Sequence, residues 1–204
     1  MVLKVSRQKH VVIYITGLND RNVKFQKFAV STWRVFGVRP ILFQTNWVDN
    51  KSFAEKLDRL LGLIDDNKDS TVSLVAASAG ASLAVAAYAR RRETINGAAF
   101  VCGKLRNPQT VGASYYLQNP AFREAMSALS DNIASLTKVE RARIMSISPL
   151  LDETVVVKDT VVTGVKNVKS PTLFHVPTIA LCITLFSFVP IIFLKRLQKG
   201  RIET

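Results

Sequence analysis

Ser78 is the first residue whose surroundings could support chemistry. It lies between a short apolar run, Val72-Ser73-Leu74-Val75-Ala76-Ala77, and an Ala-rich stretch, Gly80-Ala81-Ser82-Leu83-Ala84-Val85-Ala86-Ala87. The first run reads as a strand buried on both faces. The second reads as a helix packed closely on a sheet. Ala76, Ala79 and Gly80 are small enough to let the chain turn abruptly from one into the other. Such a turn raises the serine hydroxyl at the C-terminal end of the strand, over the N-terminus of the helix. Small residues around a serine also serve plain strand–helix packing, so the remainder of the chain has to decide.

Several other chemistries are disfavoured. In Gly97…Gly103-Lys104, five residues separate the glycines where a phosphate loop needs four, and Leu105 stands where Ser or Thr would meet Mg²⁺. The two cysteines, Cys102 and Cys182, have apolar neighbours and no metal or disulfide spacing, and read as small core residues. With only two histidines and no Cys/His cluster, a zinc site is not expected, nor is any organic cofactor. The net charge of +13 favours anionic partners. The lysines and arginines are scattered, however, and no basic stripe with interleaved aromatics stands out, so a solvated cationic surface is expected and nucleic-acid binding is not. Arg90-Arg91-Arg92 falls where a helix should end, and cations there offset the helix dipole. Near the N-terminus, Lys4, Arg7 and Lys9 precede an apolar run too short for a secretory signal, which points to a cytoplasmic protein.

The elements that would position Ser78 follow in a regular order. The 204 residues are 48% hydrophobic, enough for one domain with a real core. Val11 to Thr16 is a β-branched strand ending at Gly17-Leu18-Asn19. Asn22 to Phe36 reads as a helix with Val23, Phe25, Phe28, Ala29, Trp33 and Phe36 on its apolar face. Pro40 to Phe43 is a strand. A helix opened by Asn50-Lys51-Ser52 follows, with Phe53, Leu57, Leu60, Leu61 and Ile64 in strong helical register. Then come the Ser78 strand and helix, a strand over Ile95 to Cys102, a helix over Ala121 to Leu136, a strand over Ile144 to Ile147, and a last short strand within Asn167 to Phe174. This alternation predicts an α/β fold: a mostly parallel sheet with helices on both faces and functional loops at the strands' carboxyl ends.

The Ala76-x-Ser78-x-Gly80 turn in this setting resembles the nucleophile elbow of the α/β-hydrolase superfamily, with Ala76 in place of the usual first glycine. The resemblance covers nearly the whole chain. It implies a serine hydrolase, carboxylesterase- or lipase-like, that cleaves an ester or thioester through an acyl-enzyme. The family order of nucleophile, acid, histidine falls on Ser78, Asp152 and His175, each at the end of a predicted strand. Asp159 is a lesser rival for the acid, and His10 lies at the wrong end of the sheet. The family's oxyanion donors fall on the backbone N–H groups of Leu18 and Ala79. Thr16 stands where the family often carries histidine. A short cap within residues 104–143 would lie over the site, and Asn19, Tyr115, Tyr116, Phe122 and Met126 are the expected substrate-pocket residues. For Phe122 and Met126 the competing reading, a place in the core, is the preferred one.

Val176 to Leu194 is 19 residues without a charge, followed by the basic stretch Lys195 to Arg201. It reads either as a C-terminal helix over 176–198 packed on the sheet, or as a membrane-span candidate. A packed helix that also touches a membrane surface is a third version. Two alternatives to a soluble esterase therefore stand: a non-catalytic hydrolase-fold binding protein, and a membrane-anchored protein with a C-terminal transmembrane helix. The expected partner is a small ester or lipid-like substrate; the sequence does not set the oligomeric state.

Overall fold

The computed structural model describes residues 9–202 apart from 19 and 22. Six parallel strands form one sheet: β1 (His10–Ile15), β2 (Arg39–Phe43), β3 (Thr71–Ala77), β4 (Ile95–Val101), β5 (Ile144–Ser148) and β6 (Lys166–Lys169), in the order β2-β1-β3-β4-β5-β6. The central strands β1, β3, β4 and β5 are buried along their whole length, as their near-continuous apolar sequences require. β2 and β6 are the edges.

Alternate residues of each strand face opposite layers. Val11, Ile13, Leu74, Ala76 and Phe100 pack under α2 (Phe53–Asp65) and α3 (Gly80–Arg90). Val12, Tyr14, Val75, Val101 and Ile147 pack under α1 (Lys24–Ser31) and two helices from the end of the chain. α2 opens with a capping box, in which the Ser52 hydroxyl accepts the Glu55 amide and the Glu55 carboxylate accepts the Ser52 amide. The arginine run after α3 holds neighbouring elements: Arg91 makes a bidentate pair with Asp65 at the end of α2, and Arg92 donates to the Ser135 carbonyl.

Four elements differ from the sequence expectation. α1 is followed by a 3₁₀ stretch, Thr32–Phe36, and the pair buries Ala29, Val30 and Trp33, while Phe25 and Phe28 face outward at 55% and 70% exposure. Ala29, with its small side chain, is the residue that lies against the sheet layer. Residues 104–143 hold α4 (Ala113–Gln118), α5 (Pro120–Ser127), α6 (Leu129–Ala134) and α7 (Lys138–Ala142), so the helix expected over 121–136 is broken at Ala128. β6 ends at Lys169, before Ser170 and Pro171, and an isolated bridge between Leu151 and Leu173 follows it. The apolar tail is two helices, α8 (His175–Ile183) and α9 (Phe188–Ile202), bent by 55°. They pack on β3 and β4 and bury Cys182, Ile183, Ile191 and Leu194. Among the described residues, no single helix is long and apolar enough to cross a membrane.

Gly80 sets how closely α3 can sit on β1. A Cβ there would lie 2.7 Å from the Thr16 carbonyl oxygen and 2.8 Å from that of Ile15, both backbone atoms with nowhere to go. Gly80→Ala should therefore cost about 1–3 kcal/mol. Thermal unfolding should show this as a Tm roughly 2–12 °C lower for a chain of this size.

Candidate active site

Three chain segments meet at the carboxyl ends of β3, β5 and β6. Ser78 leaves β3 in a left-handed conformation with φ 50°. Non-glycine residues hold that conformation at a cost of order 1–3 kcal/mol, and only where their surroundings enforce it. Here the Ser78 N–H donates to Val101 of β4 at 2.9 Å, and the Ser78 carbonyl accepts the Ala81 N–H at 3.0 Å. The result holds the hydroxyl above the first turn of α3.

His175 is the first residue of α8, reached through Phe174 at φ 68°. Its Nε2 lies 2.9 Å from Ser78 Oγ, and its Nδ1 lies 2.9 and 3.1 Å from the two carboxylate oxygens of Asp152. With the Nδ1 proton directed at the carboxylate, Nε2 is left to accept from the serine hydroxyl. Asp152 also accepts the N–H groups of Val155 at 2.7 Å and Thr154 at 2.9 Å. Burial alone would raise its carboxyl, but the hydrogen bond with His175 and these two amides outweigh that and hold it below the usual carboxylate range. Glu153 accepts the backbone N–H of His175 at 2.9 Å, fixing the start of α8.

On the other side of Ser78 runs the segment after β1. A Cβ on Gly17 would lie 3.0 Å from both the Ala77 carbonyl oxygen and Ser78 Cβ, tighter than an ordinary contact, so glycine lets this backbone lie against the turn without displacing it. Leu18 and Ala79 line a cleft with Ser78, and neither backbone N–H donates to a partner among the described residues. Thr16 anchors the segment. Its hydroxyl donates to Asp20 at 2.7 Å and accepts the Thr45 N–H at 3.0 Å, and Asp20 also takes the Asn46 N–H at 2.7 Å. Sequence reading missed Asp20; an aspartate three residues after a strand-end glycine is the only signal it offers.

The cleft has a volume of about 80 Å³. Of the expected pocket residues, Tyr115 and Phe122 line it. Tyr116 and Met126 do not: the Tyr116 hydroxyl donates to the Pro108 carbonyl, and Met126 is buried in the core, where α5 packs on α2 and α3. Asn19 lies outside the described residues. Lys104 is a wall residue that the sequence reading did not assign. Its ammonium donates to Asp159 at 2.5 Å and to Thr110 at 2.5 Å, and Asn107 donates to the second Asp159 oxygen at 2.5 Å. Its position just after β4, at the rim where functional side chains collect, could have flagged it. Asp159 is thus committed to Lys104, not to His175. His10 sits at the opposite rim, 2.8 Å from Ser73 Oγ, and burial followed by the Lys195 charge lowers its pKa to about 4.

Cys102, Asp152 and His175 bring donor atoms within 4.8 Å of one another. They do not fit a metal. Burial and the neighbouring Asp152 charge push the Cys102 thiol up, away from the thiolate a metal requires, and Asp152 is already held by His175 and two amides.

No family model and no curated protein matches the chain by sequence. Solved structures do match in three dimensions. A carboxylesterase of the thaumarchaeon Nitrososphaera gargenis aligns with TM-score 0.70 and 12% identity over 95% of this chain and 92% of its own. A metagenome-derived lipolytic enzyme aligns with TM-score 0.66 and 10% identity over 97% and 95%. The thioesterase domain of the curacin biosynthetic pathway aligns with TM-score 0.62 and 15% identity over 92% of each. With its parallel sheet, its flanking helices and these structural counterparts, the chain has the α/β-hydrolase fold.

Proposed function

We propose that the protein hydrolyses a carboxylic ester or thioester, with Ser78 as nucleophile, His175 as general base and acid, and Asp152 as the group that orients the imidazole. The observation that carries this reading is the unbroken hydrogen-bond run from Ser78 Oγ through both nitrogens of His175 to Asp152. The serine oxygen attacks the acyl carbon while its proton passes to His175 Nε2. The oxyanion that forms receives the free N–H groups of Leu18 and Ala79, each such donor being worth about 2.7–4 kcal/mol in the transition state. Collapse expels the alcohol or thiol, which takes the proton from Nε2. Water then repeats the sequence on the acyl-enzyme, releasing the acid and the free serine. The ionised Asp152 stabilises the imidazolium at each stage. Tyr115 and Phe122 give the acyl or alcohol group an apolar wall, and Lys104, held by Asp159, lines the same cleft.

Hydrolysis of a p-nitrophenyl ester panel from acetate to palmitate, together with labelling by a fluorophosphonate probe, tests this. Ser78→Ala should lose labelling and lower turnover by about 10⁴–10⁶-fold. Asp152→Asn should lower turnover by about 10⁴-fold while Ser78 remains slowly reactive. A wild-type protein that neither labels nor turns over any ester would be a binding protein on this fold, and the reading would fall.

The pocket wall has its own signature in stability. Lys104→Met leaves Asp159 charged and buried, which should lower the unfolding free energy by about 3–5 kcal/mol in a urea titration. Lys104→Met combined with Asp159→Leu should recover most of that loss. Burial would raise the Asp159 carboxyl, but Lys104, Asn107 and Thr110 outweigh it and hold it below its usual range. Its contribution to stability is therefore present above the ordinary carboxylate range and is lost as pH falls through the lowered value. The advantage of wild type over Asp159→Asn should shrink accordingly in acid.

A further inference from the structure

We propose that α1 and its 3₁₀ continuation form a docking face for an anionic lipid bilayer. No acidic residue occurs between Asp20 and Asp49, whereas Arg21, Lys24, Lys27, Arg34 and Arg39 all fall in that interval. Phe25, Phe28 and Val35 are 55%, 70% and 80% exposed. Each follows a cation directly in sequence: Lys24-Phe25, Lys27-Phe28, Arg34-Val35. Exposed rings alternating with cations along a helix are what an interfacial helix presents, the rings entering the acyl boundary while the cations meet anionic headgroups.

A groove of about 340 Å³ runs between this helix and the edge strand β2. Lys27, Arg34, Ser31 and Gln44 line it, with Val30 and Leu42 among its apolar walls. The Lys27 ammonium and Arg34 guanidinium have no anionic or hydrogen-bonding partner among the described residues, so both are free to meet a phosphate. The groove adjoins the candidate site through Gln44, whose side chain donates to the Asp20 carbonyl at 2.7 Å in the segment that carries Leu18. α1 also packs against α8, which begins at His175.

The apolar content selects a bilayer over a nucleic acid. Val35 has no ring to stack on a base. A second exposed apolar patch, Leu150, Leu151, Leu173, Phe174 and Val176, flanks Asp152 and His175. Its two strands of chain touch: the Phe174 N–H donates to Leu151, and the Leu150 N–H donates to Thr172. Such aliphatic surface has use against acyl chains and none against phosphodiester. The two patches are linked through α8, which packs against α1 and carries Val176. The inference does not depend on ester hydrolysis, since binding needs no turnover.

Sedimentation with phosphatidylcholine vesicles, with and without phosphatidylglycerol, tests it. The full chain should partition to the phosphatidylglycerol vesicles and be released in part by added NaCl. Lys27→Gln with Arg34→Gln should weaken partition about 30-fold, taking each cation near the surface as about fivefold. Phe25→Ser with Phe28→Ser should weaken the fraction that survives high salt. All four positions are on the surface, so thermal unfolding and p-nitrophenyl acetate turnover should match wild type in every variant. Equal partition to both vesicle types, or undiminished partition of the fourfold variant, would overturn the proposal. So would single-stranded RNA binding abolished by the same substitutions without vesicle binding, or capture of glycerol phosphate alone.

Discussion

The left-handed backbone at Ser78 is the constraint to which the rest of the structure is fitted. It costs free energy, and it persists because neighbouring strands lock it. Val101 of β4 accepts the Ser78 N–H, Gly17 lets the segment after β1 lie against its Cβ, and Gly80 lets α3 start in contact with the Ile15 and Thr16 carbonyls. Other non-glycine residues beyond the carboxyl ends of the strands share the positive φ, among them Cys102 at 53° and Phe174 at 68°. Cys102 marks the place where the chain leaves β4, and Phe174 the place where it enters α8. Strain of this kind collects where a backbone must aim a side chain and ordinary turns would aim it elsewhere.

Buried charge does complementary work on either side of that turn. Lys56 has no solvent exposure, pairs with Asp49 and donates to the Asn46 carbonyl at 2.7 Å. Asn46 in turn donates its N–H to Asp20, which anchors Thr16. Lys104 and Asp159 do the same for residues 104–112. A charge taken out of water must keep a partner in good geometry, so each pair restricts its loop to one arrangement. Of these pairs, the one made by Lys104 belongs to the wall of the cleft itself.

What was legible in the sequence follows from this physics. β1, β3, β4 and β5 announce themselves because strands buried on both faces must be apolar throughout. That Ser78, Asp152 and His175 should approach one another follows from their places at strand ends in a parallel sheet, where every carboxyl end reaches the same rim. The orientation of α1 was not legible: Phe25 and Phe28 have the larger apolar side chains, yet the smaller Ala29 and Val30 are the ones that fit against the sheet. Pro190, in the first turn of α9, is a local signal for the break between α8 and α9, whereas the break at Ala128 has no proline or glycine to announce it. Lys104 was passed over because its neighbours suggested a phosphate loop and failed that test, while its role depends on Asp159, far away in sequence.

The two edges of the sheet have a consequence of their own. β6 is four residues long with Lys166 and Lys169 exposed, and β2 begins with an exposed Arg39 followed by Pro40, which offers no N–H. An open strand is otherwise a template for another copy of the same chain. Like charges meeting across β6, and the missing donor in β2, make such pairing unfavourable. Even when many copies are crowded together, the six-stranded sheet has no inviting place to grow, and molecules that collide should separate instead of seeding a fibril.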